Sequence, residues 1–154
     1  MPGDMNFKEA VESNAEISNC YKSGLQAMGT NSNKVMAADT RKLCGSVDLD
    51  KCVAEKYREE NRWDYLVCYD EKVFCVEVHP ASTGEVKVMI AKVAWLKRWL
   101  CDKGAEIEMQ LAKGESYKWI TSGNGNVNFK PGDKYGRLLA LEGLSFPKKI
   151  LQLK

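Results

Sequence analysis

Apolar positions recur with a broadly helical spacing from about Asn6 to Met28, where Phe7, Ala10, Val11, Ile17, Tyr21 and Leu25 stand among polar residues and Asn14 marks a break. "GTNSNK", Gly29 to Lys34, reads as a turn-rich connection, and "VMAADTRKLCGSVDLD" as short apolar pieces punctuated by Asp39, Thr40 and Gly45. From Ser46 an amphipathic helix is expected to about Glu60 or Asn61. Asp48 or Asp50 would cap it, and Leu49, Cys52, Val53 and Tyr57 form its apolar stripe. "WDYLVCYDEKVFCVEVHP", Trp63 to Pro80, has the pattern of a β-hairpin with Asp70-Glu71 at the turn.

After "PASTG", Ser82 or Thr83 is placed to cap a helix from about Gly84 to Asp102. Val86, Met89, Val93, Leu96 and Leu100 mark its apolar face and Trp95 and Trp99 a flanking ridge. "SYKWITSG" and "GRLLALEGLSF" read as strands separated by "NGNVNFKPGDKY", and "PKKILQLK" as a short helix or terminal strand. This order predicts an α/β or α+β fold around one mixed sheet. At 154 residues a single domain is expected, with a helical segment over 1–45 packed on an α/β core over 46–154.

The hairpin pattern raises a chemical question. With a two-residue loop, Tyr69 faces Lys72 and Asp64 lies directly opposite Glu77, their Cβ atoms roughly 4.5–5.5 Å apart. His79, the chain's only histidine, shares that face. The opposite face carries Tyr65, Val67, Phe74, Val76 and Val78 and is the expected core side. A three-residue loop would shift the pairing by one and separate the acids. Two facing carboxylates repel, so in a partly buried place one takes a proton unless a cation neutralises them. A hard, oxygen-ligating ion such as Mg²⁺ or Mn²⁺ fits that need, held by Asp64, Glu77 and the Val78 carbonyl. Such an ion polarises a phosphoryl oxygen and activates bound water. His79 is placed to orient that water, and Lys92, on the same helix side as Trp95 and Trp99, is a second basic candidate. The plain alternative is a pair of surface acids at a strand end with a hydrogen-bonded structural histidine.

Composition supports this picture without deciding it. A hydrophobic fraction of 44% and a charged fraction of 29% are those of a soluble globular chain. No apolar run approaches the ~20 residues of a membrane span. The opening "MPGDMNFKEAVESNAE" has no signal-peptide core, so a cytoplasmic address is expected. Residues 1–80 carry a net charge of −4 and residues 81–154 one of +6. That asymmetry suits an anionic polymer held near an acidic metal site, although an uneven solvated surface also accounts for it. The cysteines, Cys20, Cys44, Cys52, Cys68, Cys75 and Cys101, include no C-x-x-C pair. They are expected to be reduced and structural, with neither a disulfide framework nor a zinc site.

Asp64, twelve intervening residues and then Glu77-Val78-His79 resembles the signature of the PD-(D/E)xK nuclease superfamily. The resemblance covers about Ser46 to Gly104 and implies a restriction-endonuclease-like fold, a mixed sheet of four to five strands flanked by helices. It implies Asp64 and Glu77 as metal ligands, His79 at the position of the motif lysine, and Lys92 as the basic residue of the following helix. Glu55, or less readily Asp48, matches the upstream helical acid. The implied activity is Mg²⁺- or Mn²⁺-dependent hydrolysis of phosphodiester bonds in nucleic acid. Because histidine stands where lysine is expected, the alternative is a catalytically inactive module on the same fold, binding nucleic acid or a protein partner. The wider pattern "DTRKLCGSVDLD … RWDY … FCVEVHPA … WLKRWL" also resembles a group of bacterial proteins, a likeness that implies nothing about function.

Weaker signals add little. "SGNGN", Ser122 to Asn126, lacks the Gly-Lys-Ser/Thr of a phosphate-binding loop and reads as a strand connection. Trp63, Trp95, Trp99 and Trp119 are candidates for base stacking but fit a core equally well.

Overall fold

A computed structural model of the chain describes residues 5–123 and 127–154; of the "SGNGN" stretch read as a strand connection, residues 124–126 lie outside the described residues. Helix α1 (Phe7–Glu12) opens the chain and is capped reciprocally. The Asn6 side chain accepts from Glu9 N–H while the Glu9 carboxylate accepts from Asn6 N–H. The expected long first helix stops there. The break at Asn14 is real, and beyond it come turns and a 3₁₀ segment, Gln26–Lys34. Strand β1 (Val35–Ala37) follows, then β2 (Leu43–Asp48) and a single turn of helix, α2 (Leu49–Cys52). Ser46, expected at a helix start, is buried in β2. Asp48 caps α2 by accepting from Lys51 N–H. The predicted helix to Glu60 is otherwise a series of turns.

β3 (Tyr65–Tyr69) and β4 (Lys72–His79) form the expected hairpin. Its turn residues Asp70 and Glu71 both have positive φ, 53° and 62°, as a two-residue loop matched to strand twist requires. The register runs from Tyr69↔Lys72 to Tyr65↔Val76, so Asp64 and Glu77 meet as the pattern predicted. Helix α3 (Thr83–Lys103) crosses over to β5 (Tyr117–Thr121), which pairs parallel with β4. The main sheet is therefore four-stranded and mixed, in the order β2-β3-β4-β5. Short α4 (Ala105–Glu108) and α5 (Lys134–Leu141) complete the helices, and β6 (Leu151–Leu153) pairs parallel with β1 in a small second sheet.

α5 corrects the reading of "GRLLALEGLSF" as a strand. Asp133 accepts from Tyr135 and Gly136 N–H and starts a helix, whose "LLAL" run has no period to distinguish it from a buried strand. Gly45 is fixed by packing. Its φ is +134°, and a Cβ there would collide with the Tyr21 ring, whose hydroxyl donates to the Cys44 carbonyl.

The sheet is covered on both faces. Over one lie α3, through Val86, Met89, Val93, Leu96 and Leu100, and the N-terminal segment, through Phe7, Val11 and Ile17. They pack with Leu66, Cys68, Val73 and Cys75, the face that also carries Glu77. Over the other lie Met28 and the β1–β6 pair, against Val67, Tyr69, Val76 and Ile120. The expectation that the acid-bearing face is the uncovered one is thus overturned. Small side chains on that face admit the bulk of α3 and the N-terminal segment. Full burial of each aliphatic side chain contributes about 1.5–3 kcal/mol.

The cysteine expectation is also corrected. Cys20–Cys52 ties the N-terminal segment to α2, and Cys44–Cys68 ties β2 to β3, with Cα separations of 6.3 and 5.0 Å that suit a bridge. Cys75 is free and buried, and Cys101 free and exposed. No helix among the described residues is long and apolar enough to cross a membrane.

Candidate functional site

Asp64 immediately precedes β3, and Glu77 lies opposite it near the end of β4. Each acid is held by the other's strand. Asp64 N–H donates to Glu77 Oε1 at 2.9 Å, and Val78 N–H donates to Asp64 Oδ2 at 3.0 Å. The strands thus extend their ladder through side chains where backbone pairing ends.

Glu77 is buried, with 1% of its surface exposed, beneath the third turn of α3. From that turn Lys92 reaches down, its Nζ 3.0 Å from Glu77 Oε2, and donates to the Arg62 carbonyl at 2.9 Å. His79 stands on the outer side. Its Nδ1 is 3.7 Å from Glu77 Oε2, and its Nε2 is 2.7 Å from Oε1 of Glu85 in the first turn of α3. The His79 carbonyl accepts from Trp119 Nε1 and from Ser122 N–H, which anchors the end of β4.

Burial decides the electrostatics. It pushes the Glu77 carboxyl up to about 8, with the Asp64 charge adding to the shift, while Lys92 and the Asp64 N–H only partly oppose it. Asp64 is also raised, chiefly by burial, against the opposing Val78 N–H and Lys92. Asp50 and Asp48 reinforce that rise from the end of β2 and the start of α2. Asp48 itself is raised by burial. Asp50 is partly neutralised, its Oδ1 lying 2.8 Å from Arg62 Nε.

Asp64, Glu77, His79 and Lys92 are thus brought together. Glu55 is not. It lies exposed on the turns after α2, in a cleft it shares with Asn14, Glu16, Lys56 and Lys103. α2 ends at Cys52, so no helix carries Glu55 back over the sheet. Sequence reasoning missed Glu85 as the partner of His79. The available signal was its place in the first turn of a helix that folds back over the strand, six residues after His79. It also missed Asp50 and the Arg62 carbonyl, neither of which has a pattern of its own.

Carboxylates are the donors that a hard divalent ion such as Mg²⁺ takes, commonly one or two of them completed by water and phosphate oxygens. Asp64 and Glu77 are of that donor type, but both Glu77 oxygens already face a partner, Asp64 N–H and Lys92, and burial favours its protonated form. They do not make a cage: among the described residues no group of three or more His, Cys, Asp or Glu side chains is arranged to hold a metal. No buried side-chain nitrogen or oxygen among them lacks a hydrogen-bond partner. Compared with known protein families, with curated proteins and with solved structures, the chain matches none.

Proposed function

We propose that the protein hydrolyses phosphodiester bonds in nucleic acid, as a restriction-endonuclease-like enzyme of the PD-(D/E)xK kind with Asp64 and Glu77 as ligands for Mg²⁺ or Mn²⁺. One observation carries the reading: the end of the hairpin gathers two acids, Asp64 and Glu77, with two basic groups, Lys92 and His79, against Glu77, although the motif position holds histidine. A mixed sheet with α3 crossing between parallel β4 and β5 is compatible with the same reading.

A bound divalent ion supplies Lewis acidity toward a phosphoryl oxygen and lowers the pKa of a bound water. The chain's own groups do the rest. Lys92, on a flexible stem, exchanges Glu77 for a non-bridging phosphate oxygen and offsets the charge that develops there. His79, fixed by Glu85, would accept a proton from the attacking water as its oxygen bonds to phosphorus; the bond to the sugar oxygen breaks, and that oxygen takes a proton from a solvent water. The packed floor of Cys75, Val73 and α3 keeps bulk water from the acids.

Calorimetry should give Mg²⁺ or Mn²⁺ binding that Glu77→Ala removes, and single- or double-stranded DNA or RNA should be cleaved in a metal-dependent way that Asp64→Asn abolishes. No metal binding sinks the reading. A second reading is favoured by one feature: Glu77 already has partners on both oxygens, Asp64 N–H and Lys92. On it the fold is an inactive module that binds nucleic acid or a protein partner. Salt-sensitive nucleic-acid binding without cleavage selects that reading.

A further inference from the structure

Around the end of β2 from the acids lies a cavity of about 660 Å³. Small-molecule sites occupy roughly 300–1,000 Å³. Four parts of the chain close on it: Cys20 and Lys22, the 3₁₀ segment from Gln26 to Asn31, Lys51 and Cys52 after β2, and Tyr65. The Cys20–Cys52 disulfide forms part of its wall, so two of these stretches are joined covalently. Gly29 bends the 3₁₀ segment along the cavity with φ +55° and ψ −128°. A Cβ there would meet nothing within 4 Å, so the glycine answers a backbone demand and not crowding.

The lining has a distinct chemistry. Lys22 and Lys51 stand exposed at the rim, and Asp48 is half-buried between the walls. Asn31 Nδ2 donates to the Tyr65 hydroxyl at 3.0 Å. That bond positions both side chains and leaves the amide oxygen and the phenolic hydrogen for a ligand. Gln26 adds a second, exposed amide. Two cations, a half-buried aromatic ring, two amides and one carboxylate complement a phosphate, a flat base with polar edges, and a sugar hydroxyl.

We propose that this cavity binds one unpaired nucleotide of the strand that the Asp64–Glu77 site acts on. Lys22 and Lys51 take the phosphate, Tyr65 takes the base, and Asn31 and Gln26 read its edge. Tyr65 directly follows Asp64 in sequence but points to the opposite face of the sheet, and it is the register partner of Asp48, so a strand engaging both sites passes around the end of the hairpin. The proposal rests on the nucleic-acid reading and deepens it: a base that lodges here is unpaired, so the substrate is single-stranded or frayed.

Titration of the ¹⁵N-labelled full chain with each of the four nucleoside 5′-monophosphates, and with inorganic phosphate, tests it without any cleavage. The expected result is saturable shifts confined to the Gln26–Asn31 amides and their neighbours. Affinity should fall about tenfold in Lys51→Ala, the loss of one charge-assisted contact. Asn31→Ala should weaken binding and alter the preference among bases, and Asp64→Asn should leave it unchanged. Absence of saturable shifts with all four nucleotides overturns the proposal. So do shifts that inorganic phosphate reproduces in full, which mark an anion site only. Nucleotide binding without cleavage leaves the subsite standing and removes the hydrolytic reading; cleavage without nucleotide binding does the reverse.

Discussion

The Lys92 ammonium lies 3.0 Å from Glu77, a carboxylate on the strand that α3 covers. Strand and helix are joined only by the turn from Pro80 to Ser82, yet the pair is assembled by packing: Val93 and Leu96 seat the helix, and Lys92 points where the sheet ends.

Lys92→Met removes the charge and keeps the stem. Truncating one partner of a buried pair costs about 3–5 kcal/mol, because the other is left uncompensated. The expected loss, read by urea unfolding, is of that order above pH 8 and much smaller near pH 5, where Glu77 carries its proton. An equal loss at both pH values would show that Lys92 matters by packing and not by charge.

Glu77 gives the wild-type protein a pH slope of known sign. Its carboxyl is raised from 4.5 to about 8 in the folded state. Between those values the folded chain holds a proton that the unfolded chain has lost, so this group's contribution to stability is full below about pH 4.5 and declines as pH rises toward 8. Asp64 is shifted the same way and adds to the decline. Stability should fall by on the order of a few kcal/mol from pH 5 to pH 9. Glu77→Gln should flatten most of that slope, and a parallel slope in the variant would assign it to other groups.

Thiol counting tests the cross-links. Denatured without reductant, the protein should present two reactive thiols, those of Cys75 and Cys101, and six after reduction. Losing either bridge, through Cys52→Ala or Cys68→Ala, should cost about 2–4 kcal/mol. Six thiols in the unreduced protein would return these cysteines to the simple apolar role that their neighbours in the sequence suggest.

Glu55→Ala and Asp64→Asn should separate cleanly in Mn²⁺ calorimetry. The first should bind as wild type does, since Glu55 faces a different cleft, and the second should lose binding. Equal loss in both would bring Glu55 into the site after all.

The local parts of this structure were legible in the sequence. A turn of two residues at Asp70-Glu71 fixes the register and with it the meeting of Asp64 and Glu77. The dense apolar face of α3, from Val86 to Leu100, is visible as a period. What escaped depends on long-range packing. The face of Leu66, Cys68, Val73 and Cys75 looks too sparse to be a core, because its bulk comes from α3 and from Phe7, Val11 and Ile17. The disulfide partners lie 32 and 24 residues apart, so their approach follows from the fold and not from spacing. "LLAL" is compatible with strand or helix until Asp133 caps it. For the candidate site, the inner members were readable and Glu85 was not, because only the return of α3 over β4 brings it to His79.

The reciprocal clasp between Asp64 and the β4 strand has an evolutionary consequence. Each acid accepts a backbone hydrogen bond that would otherwise be lost at the end of the hairpin. Selection for a properly closed sheet would therefore keep both carboxylates whether or not the site performs chemistry, so the acids are joinery first and their presence alone does not mark an enzyme.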